Sequence, residues 1–376
     1  MSDENKDEKF IVTPWEVKGK IDYDKLIQQF GTQAIDDALL RRISGIAGEL
    51  HPLLRRKVFF SQRDLKWILD RYEAKEHFAL YTGRGPSGHT HLGHMMPWIF
   101  TKWIQDKFDA PLYFQMTDDE KFMFKDSLSL QEAQHFAYEN ALDVIALGFD
   151  PKKTQILIDT KHISKLYPIA IQVAKRVTFS TAKAVFGFDN STNIGSIFFT
   201  SMQAAPAFLP SVEAGKNVPC LIPCAIDQDP HFRVARDVAP LLGYYKPALI
   251  HCKMVPSLAG GDKMSASAPQ TSIFTTDAPK AAKKKVMGAF TGGAATVEEQ
   301  RKSGANPDVC SVFSYYYYLF EYDDAKLAEI EQRCRSGAML CGECKMALAE
   351  KVEKFLAAHQ ERREAAKDRI NDFIKD

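Results

Sequence analysis

Strands and helices alternate between residues 78 and 252, which predicts an α/β fold: a Rossmann-like parallel sheet followed by an all-helical domain. Three observations carry this. Residues 78–80, 111–116, 155–159, 218–226 and 248–252 are short apolar runs of the length of buried strands. Helical spacing recurs between them, at 95–104, 129–147, 163–177 and 232–242. The second of these opens on a capping box, Ser129 to Glu132, and stops at Gly148. Beyond Phe274 the strand pattern ends, and 278–289, 297–303, 309–322, 325–334 and about 343–374 all read as helices.

The first nine residues are polar and acidic, unlike a secretory signal or a transit peptide. Residues 12–17 form a strand-like piece broken by Pro14, whose Trp15 either docks on the domain surface or covers a cleft. Residues 21–54 are expected to be helical, with Ile27, Phe30, Ile35 and Leu39 on one face and a break at Gly31; a second helix spans 63–72. A net charge of +1 excludes no partner, so any nucleic-acid contact must come from local basic clusters. No apolar run approaches the roughly 18 residues of a membrane span. Seven cysteines without a leader argue for free thiols in a reducing compartment, the cytosol.

Chemistry concentrates in two stretches. Residues 81–94 place Gly83, Gly85 and Gly88 between a strand and a helix, where free N–H groups at a helix terminus favour phosphate. His91 and His94, three apart, share a face there. The plainer alternatives are a loop with two solvated histidines, or a dinucleotide fingerprint, although the acidic residue expected about 20 positions onward falls near Trp103. The second stretch, Gly260 to Ser267, offers Lys263 and two hydroxyls as a mobile polyphosphate contact.

Together these stretches suggest a family. His91-Leu92-Gly93-His94 followed by Lys263-Met264-Ser265-Ala266-Ser267 resembles the two signatures of class I aminoacyl-tRNA synthetases. More narrowly, residues 81–87, 115–121, 203–206 and 225–230 are similar to the tryptophanyl-tRNA synthetase family of the eukaryotic type, over nearly the whole chain. The resemblance implies a residue 1–77 extension, a catalytic domain over 78–277, a helical anticodon-binding domain over 278–367 and a tail over 368–376. It implies activation of L-tryptophan by ATP with Mg²⁺, transfer to tRNA(Trp), and a homodimer. His91, His94 and Lys263 are the implied catalytic groups. Tyr81 and Gln115 would accept from the indole N–H, while Glu120, Gln203 and Gln228 hold the ammonium and carboxylate. Arg84, Gly93, Lys121, Asp227, Met264, Ser265 and Ser267 form the implied ATP site. No metal ligand is implied.

Three departures and three side questions accompany this. Ala266 replaces the family's second loop lysine, the turn before His91 looks one residue short, and the helical module that some relatives carry at the N-terminus is not expected. A tyrosine-specific sister would need a carboxylate at Gln115, and a non-catalytic RNA-binding paralogue would not need intact His91, His94 and Lys263. Lys280, Lys283, Lys284 and Lys285 are either a solvated helix face or a tRNA contact; Arg362 and Arg363 are expected on solvated surface. Cys341 and Cys344 have metal-ligand spacing that Cys334 and His359 would have to complete, and plain thiols are the alternative.

Overall fold

The computed structural model describes residues 11–12, 17–18, 21–261 and 263–375; Trp15 lies outside them. Strands β1 (Ile11–Val12) and β2 (Val17–Lys18) form a small antiparallel ribbon. The main sheet is built from β3 (Gln33–Ala34), β4 (Phe59–Arg63), β5 (Ala79–Arg84), β6 (Leu112–Met116), β7 (Thr154–Ile158), β8 (Cys220–Ala225) and β9 (Ala248–Cys252). Their spatial order is β3-β4-β9-β8-β5-β6-β7. The five strands from β9 to β7 are parallel, as the apolar runs predict.

The expectation of a purely parallel sheet fails at one edge, where β3 and β4 run antiparallel. The expected 21–54 helix is divided, with β3 in its first gap. It becomes Tyr23–Phe30, Asp37–Ala47 and Pro52–Arg55. Gly31 and Gly48 end the first two helices in left-handed conformations, and Asp22 and Asp36 cap their starts.

The direction of strand order reverses between β5 and β8, so their carboxyl ends border the crevice where such sheets bind ligands. Helix Leu92–Phe108 covers one face, burying Met95, Trp98, Phe100 and Ile104; Phe100 stacks on Phe59 with ring centroids 3.8 Å apart.

Helices alone follow β9. Pro279–Met287, Val297–Ser303, Ser311–Tyr315, Asp324–Arg335 and the long Cys341–Ala366 form the helical part. The last lies against Leu130–Ala146, and here the expectation of two solvated arginines is corrected for Arg363. Arg363 pairs with Asp143 at 2.8 Å and Glu139 at 2.7 Å, and Arg362 donates to the Ala146 carbonyl. Arg363 is partly buried in the join between the helical part and the sheet part, while Arg362 stays exposed, as expected. No helix among the described residues is long and apolar enough to cross a membrane.

Candidate active site

Strand β5 delivers Tyr81 to Arg84, and the glycine turn behind it delivers His91 to the start of helix Leu92–Phe108. The His91 N–H donates to His94 Nδ1 at 3.3 Å, and the two imidazoles stack with centroids 3.5 Å apart. Burial first, then the Arg84 charge, pushes both well below the ordinary histidine range, so both rings are neutral before substrate enters. His91 Nδ1 is shielded without a hydrogen-bond partner.

The two sequence stretches meet across Gly93. Its N–H points at Met264 Sδ, 3.3 Å away and 171 positions along the chain. A Cβ at Gly93 would lie 3.0 Å from His91 Nδ1 and 3.4 Å from Met264 Cβ. The Met264 N–H donates to the Val255 carbonyl, anchoring the loop to the chain just beyond β9. Lys263 Nζ rests on Asp227 Oδ2 at 3.1 Å, and Ser265 and Ser267 share a 2.9 Å hydroxyl contact.

These groups line one cleft of about 550 Å³, together with Arg84, Glu120, Lys121, Gln203 and Gln228. Arg84 Nε and Nη2 are shielded atoms with no partner, and burial lowers the guanidinium to about 10. A desolvated cation with idle donors is an anion receptor. Lys121, by contrast, is paired with Glu120, and its Cε crosses Gly85 where a Cβ would come within 1.9 Å. Burial pushes Glu120 upward, but Lys121 and the Thr117 hydroxyl outweigh it and hold the carboxylate ionised. Gln228, in the turn after β8, is half-buried at the cleft wall.

Tyr81 and Gln115 are fully buried and are not among the cleft's lining residues; they lie behind Gln203, which is. Tyr81 Oη donates to Gln115 Oε1 at 2.5 Å and to the Gln203 carbonyl at 3.0 Å. The Gln203 amide nitrogen in turn donates to Tyr81 Oη at 2.6 Å and to Gln115 Oε1 at 3.2 Å. Two oxygens, Tyr81 Oη and Gln115 Oε1, thus face one nitrogen, the Gln203 amide NH₂, beside an apolar wall of Ile222, Cys224 and Phe232.

A family model for tRNA synthetases class I (W and Y) matches residues 73–357. The chain belongs to this family. A relative from Pyrobaculum calidifontis named tryptophan–tRNA ligase is 54% identical over 98% of both chains. One of the same name from Saccharolobus solfataricus is 50% identical over 98% of this chain and 96% of its own. Among solved structures, the Plasmodium falciparum tryptophanyl-tRNA synthetase has a TM-score of 0.89 at 38% identity, covering 94% of this chain and 98% of that one. The Encephalitozoon cuniculi enzyme, solved with tryptophan bound, has a TM-score of 0.86 at 38% identity, with the same 94% and 98% coverage.

Three polar residues beside the cleft were given no role from the sequence, although Thr117 and Asp119 lie within the 115–121 stretch. Asp159, just after β7, is fully buried and receives both 3.0 Å and 2.9 Å contacts from Gln115 Nε2. Asp119 hydrogen-bonds to Asp159, and burial pushes Asp119 up to about 6 and Asp159 well above the ordinary range. Thr117 holds Glu120 Oε2 at 2.5 Å. The available signal was position alone, since all three sit at strand carboxyl ends.

Elsewhere, the four-ligand alternative for Cys341 and Cys344 is revised. His359 is engaged by Asp143 at 2.9 Å; the neighbours are instead Cys310 and Cys334, around a small pocket lined by Val312, Phe313 and Ile330. Burial pushes the Cys334 thiol up to about 11 and the Cys344 thiol to about 12. Among the described residues, no group of three or more His, Cys, Asp or Glu side chains is placed to hold a metal ion. The lysine cluster divides. Lys285 is tied to Asp277 at 2.6 Å and to the Ser272 carbonyl, Lys283 reaches Glu353 at 3.6 Å, and Lys280 and Lys284 stay exposed.

Proposed function

We propose that this chain is a tryptophan–tRNA ligase, activating L-tryptophan with ATP and passing it to the 3′ end of its cognate tRNA. The observation that carries the choice of amino acid is the pair of oxygens, Tyr81 Oη and Gln115 Oε1, both within hydrogen-bond reach of one nitrogen, that of the Gln203 amide. Indole carries one N–H on an apolar body, and it fits that pair; phenylalanine brings no donor to it, the class of mismatch worth about 10⁴–10⁵ in discrimination. Tyrosine would need a carboxylate where Gln115 stands.

The amino-acid carboxylate attacks the ATP α-phosphorus, forming the mixed anhydride as pyrophosphate leaves; Mg²⁺ enters with the nucleotide as part of that substrate. Positioning and charge stabilisation do most of the work in such transfers. Neutral His91 and His94 donate to phosphate oxygens as charge develops, and Arg84 directs its idle donors at the triphosphate. Lys263 leaves Asp227 for the phosphates, carried by the loop with Ser265 and Ser267. Glu120, Gln203 and Gln228 take the ammonium and carboxylate. Lys121, bound to Glu120 without substrate, must change partner to serve the phosphates. We assign residues 78–277 to catalysis and 278–367 to anticodon binding, with exposed Lys280 and Lys284 touching tRNA phosphate. A cytosolic homodimer completes the proposal.

The test is ATP–pyrophosphate exchange driven by each of twenty amino acids. Exchange with tryptophan alone is expected. Exchange driven by tyrosine, or none with any amino acid, would overturn the reading.

A further inference from the structure

The amide of Gln115 is useful only one way round. Its oxygen must face the indole N–H, because the opposite rotamer presents an NH₂ group to another donor. Glutamine amides have no intrinsic preference between the two, so the surrounding network decides. Here the decision comes from behind. Both Asp159 oxygens accept from Gln115 Nε2, at 3.0 and 2.9 Å, and Asp159 itself is fully buried at the end of β7. The Asp159 N–H donates to the Met116 carbonyl, so the acceptor is fixed to the strand that carries Gln115. On the other side Tyr81 and Gln203 bring only donors to Gln115 Oε1.

We propose that Asp159, backed by Asp119, is the specificity-determining positioning residue that holds the Gln115 amide oxygen toward the substrate slot and so selects a side chain that donates a hydrogen bond. This rests on the tryptophan-ligase reading. The Gln203 amide nitrogen occupies the donor's place on Tyr81 and Gln115, the place that this reading gives to the indole N–H. Asp159 does not touch the substrate. It acts through Gln115 alone, which gives the idea a sharp consequence: its removal should matter only for ligands that use the N–H.

The experiment measures tryptophan-dependent exchange in Asp159→Leu and Asp159→Asn. The leucine side chain cannot accept from Gln115, so KM for tryptophan should rise about 10- to 100-fold, the span of an unpaired buried polar group, with KM for ATP unchanged. The preference for tryptophan over phenylalanine should narrow by a similar factor. An analogue with sulfur in place of the indole N–H should be used equally well by the wild-type and Asp159→Leu proteins. In Asp159→Asn the side-chain oxygen can still accept from Gln115 while the new amide donates to Asp119, so this variant should keep the wild-type KM. In a Gln115→Met background, Asp159→Leu should have no further effect. Should Asp159→Leu fail to fold, Asp159→Ala, whose side chain likewise accepts nothing, carries the same readouts. An unchanged tryptophan KM in the folded variant, or an equal loss for the sulfur analogue, overturns the proposal. Wild-type protein inactive with tryptophan would instead overturn the reading on which it rests.

Discussion

Lys263 illustrates how a single side chain is held ready. Its ammonium rests on Asp227 Oδ2 while Asp227 Oδ1 is shielded and unpartnered, so the contact is a resting place that the triphosphate can compete for. Replacing Lys263 with alanine is expected to reduce the exchange rate by about 10²–10³, the usual cost of one transition-state donor, with tryptophan affinity by equilibrium dialysis unchanged. A rate equal to wild type would remove the lysine from the chemistry. Asp229 plays the opposite, structural part. It is fully buried, gripped by Arg63 at 2.7 and 2.9 Å and by His251 at 3.2 Å. Burial alone would raise its carboxyl, but His251 and Arg63 outweigh that and hold it near about 2. An unfolded aspartate titrates near about 3.9, so on acidification the unfolded chain takes the proton first. The stability contributed is complete above the unfolded value and is lost as pH falls through the folded one. Asp229→Ala should therefore cost about 3–5 kcal/mol at neutral pH by leaving Arg63 uncompensated, and its deficit in urea denaturation should shrink between about pH 4 and about 2. A deficit constant down to that pH would contradict this assignment.

Helix Leu92–Phe108 and its glycine turn act as one device, and Gly93 is the point where that device touches the Lys263 loop. Helix propensity favours alanine there by about 1 kcal/mol, yet its Cβ would crowd His91 Nδ1 at 3.0 Å and Cε1 at 3.1 Å. Gly93→Ala is expected to leave the melting temperature near wild type while lowering kcat at least about 10-fold, since small misplacements of reacting groups are costly. A fall in melting temperature with kcat intact would place the glycine in the fold instead. The same contrast explains what the sequence discloses. The five parallel strands are buried on both faces and appear as continuous apolar runs. Strands β3 and β4 lie at the edge, and β4 ends in Ser61, Gln62 and Arg63, polar residues that resemble a helix start; only pairing with β3 and β9 defines them as strand. The histidines and Lys263 were legible as spaced motifs. Asp159 was not, because one acidic residue after a strand forms no pattern until Gln115 is folded against it. Nor could the sequence reveal that Gln203 covers Tyr81 and Gln115, which is a matter of side-chain packing alone.

The sheet and the helical part behave as one body because the same core runs through both. One apolar cluster includes Leu80, Phe114 and Ile156 of the sheet with Tyr315, Leu348 and Leu356 of the helices. Its polar clasp is Asp143, almost fully buried, which holds Arg363 at 2.8 Å and His359 at 2.9 Å. Gln360 adds two 2.8 Å bonds to the Thr275 and Asp277 carbonyls, near the junction of the two parts. Asp143→Ala strands a buried guanidinium that retains Glu139 as a partial partner, so the cost should fall near the low end of the range for a broken buried pair, about 3 kcal/mol. If the core is continuous, urea should unfold wild type and variant each in a single transition, reported at the same midpoint by tryptophan fluorescence and by far-ultraviolet circular dichroism. The variant's midpoint should move as a whole. Two separated transitions, the helical signal lost before the fluorescence change, would show instead that the clasp at Asp143 joins two independently stable bodies.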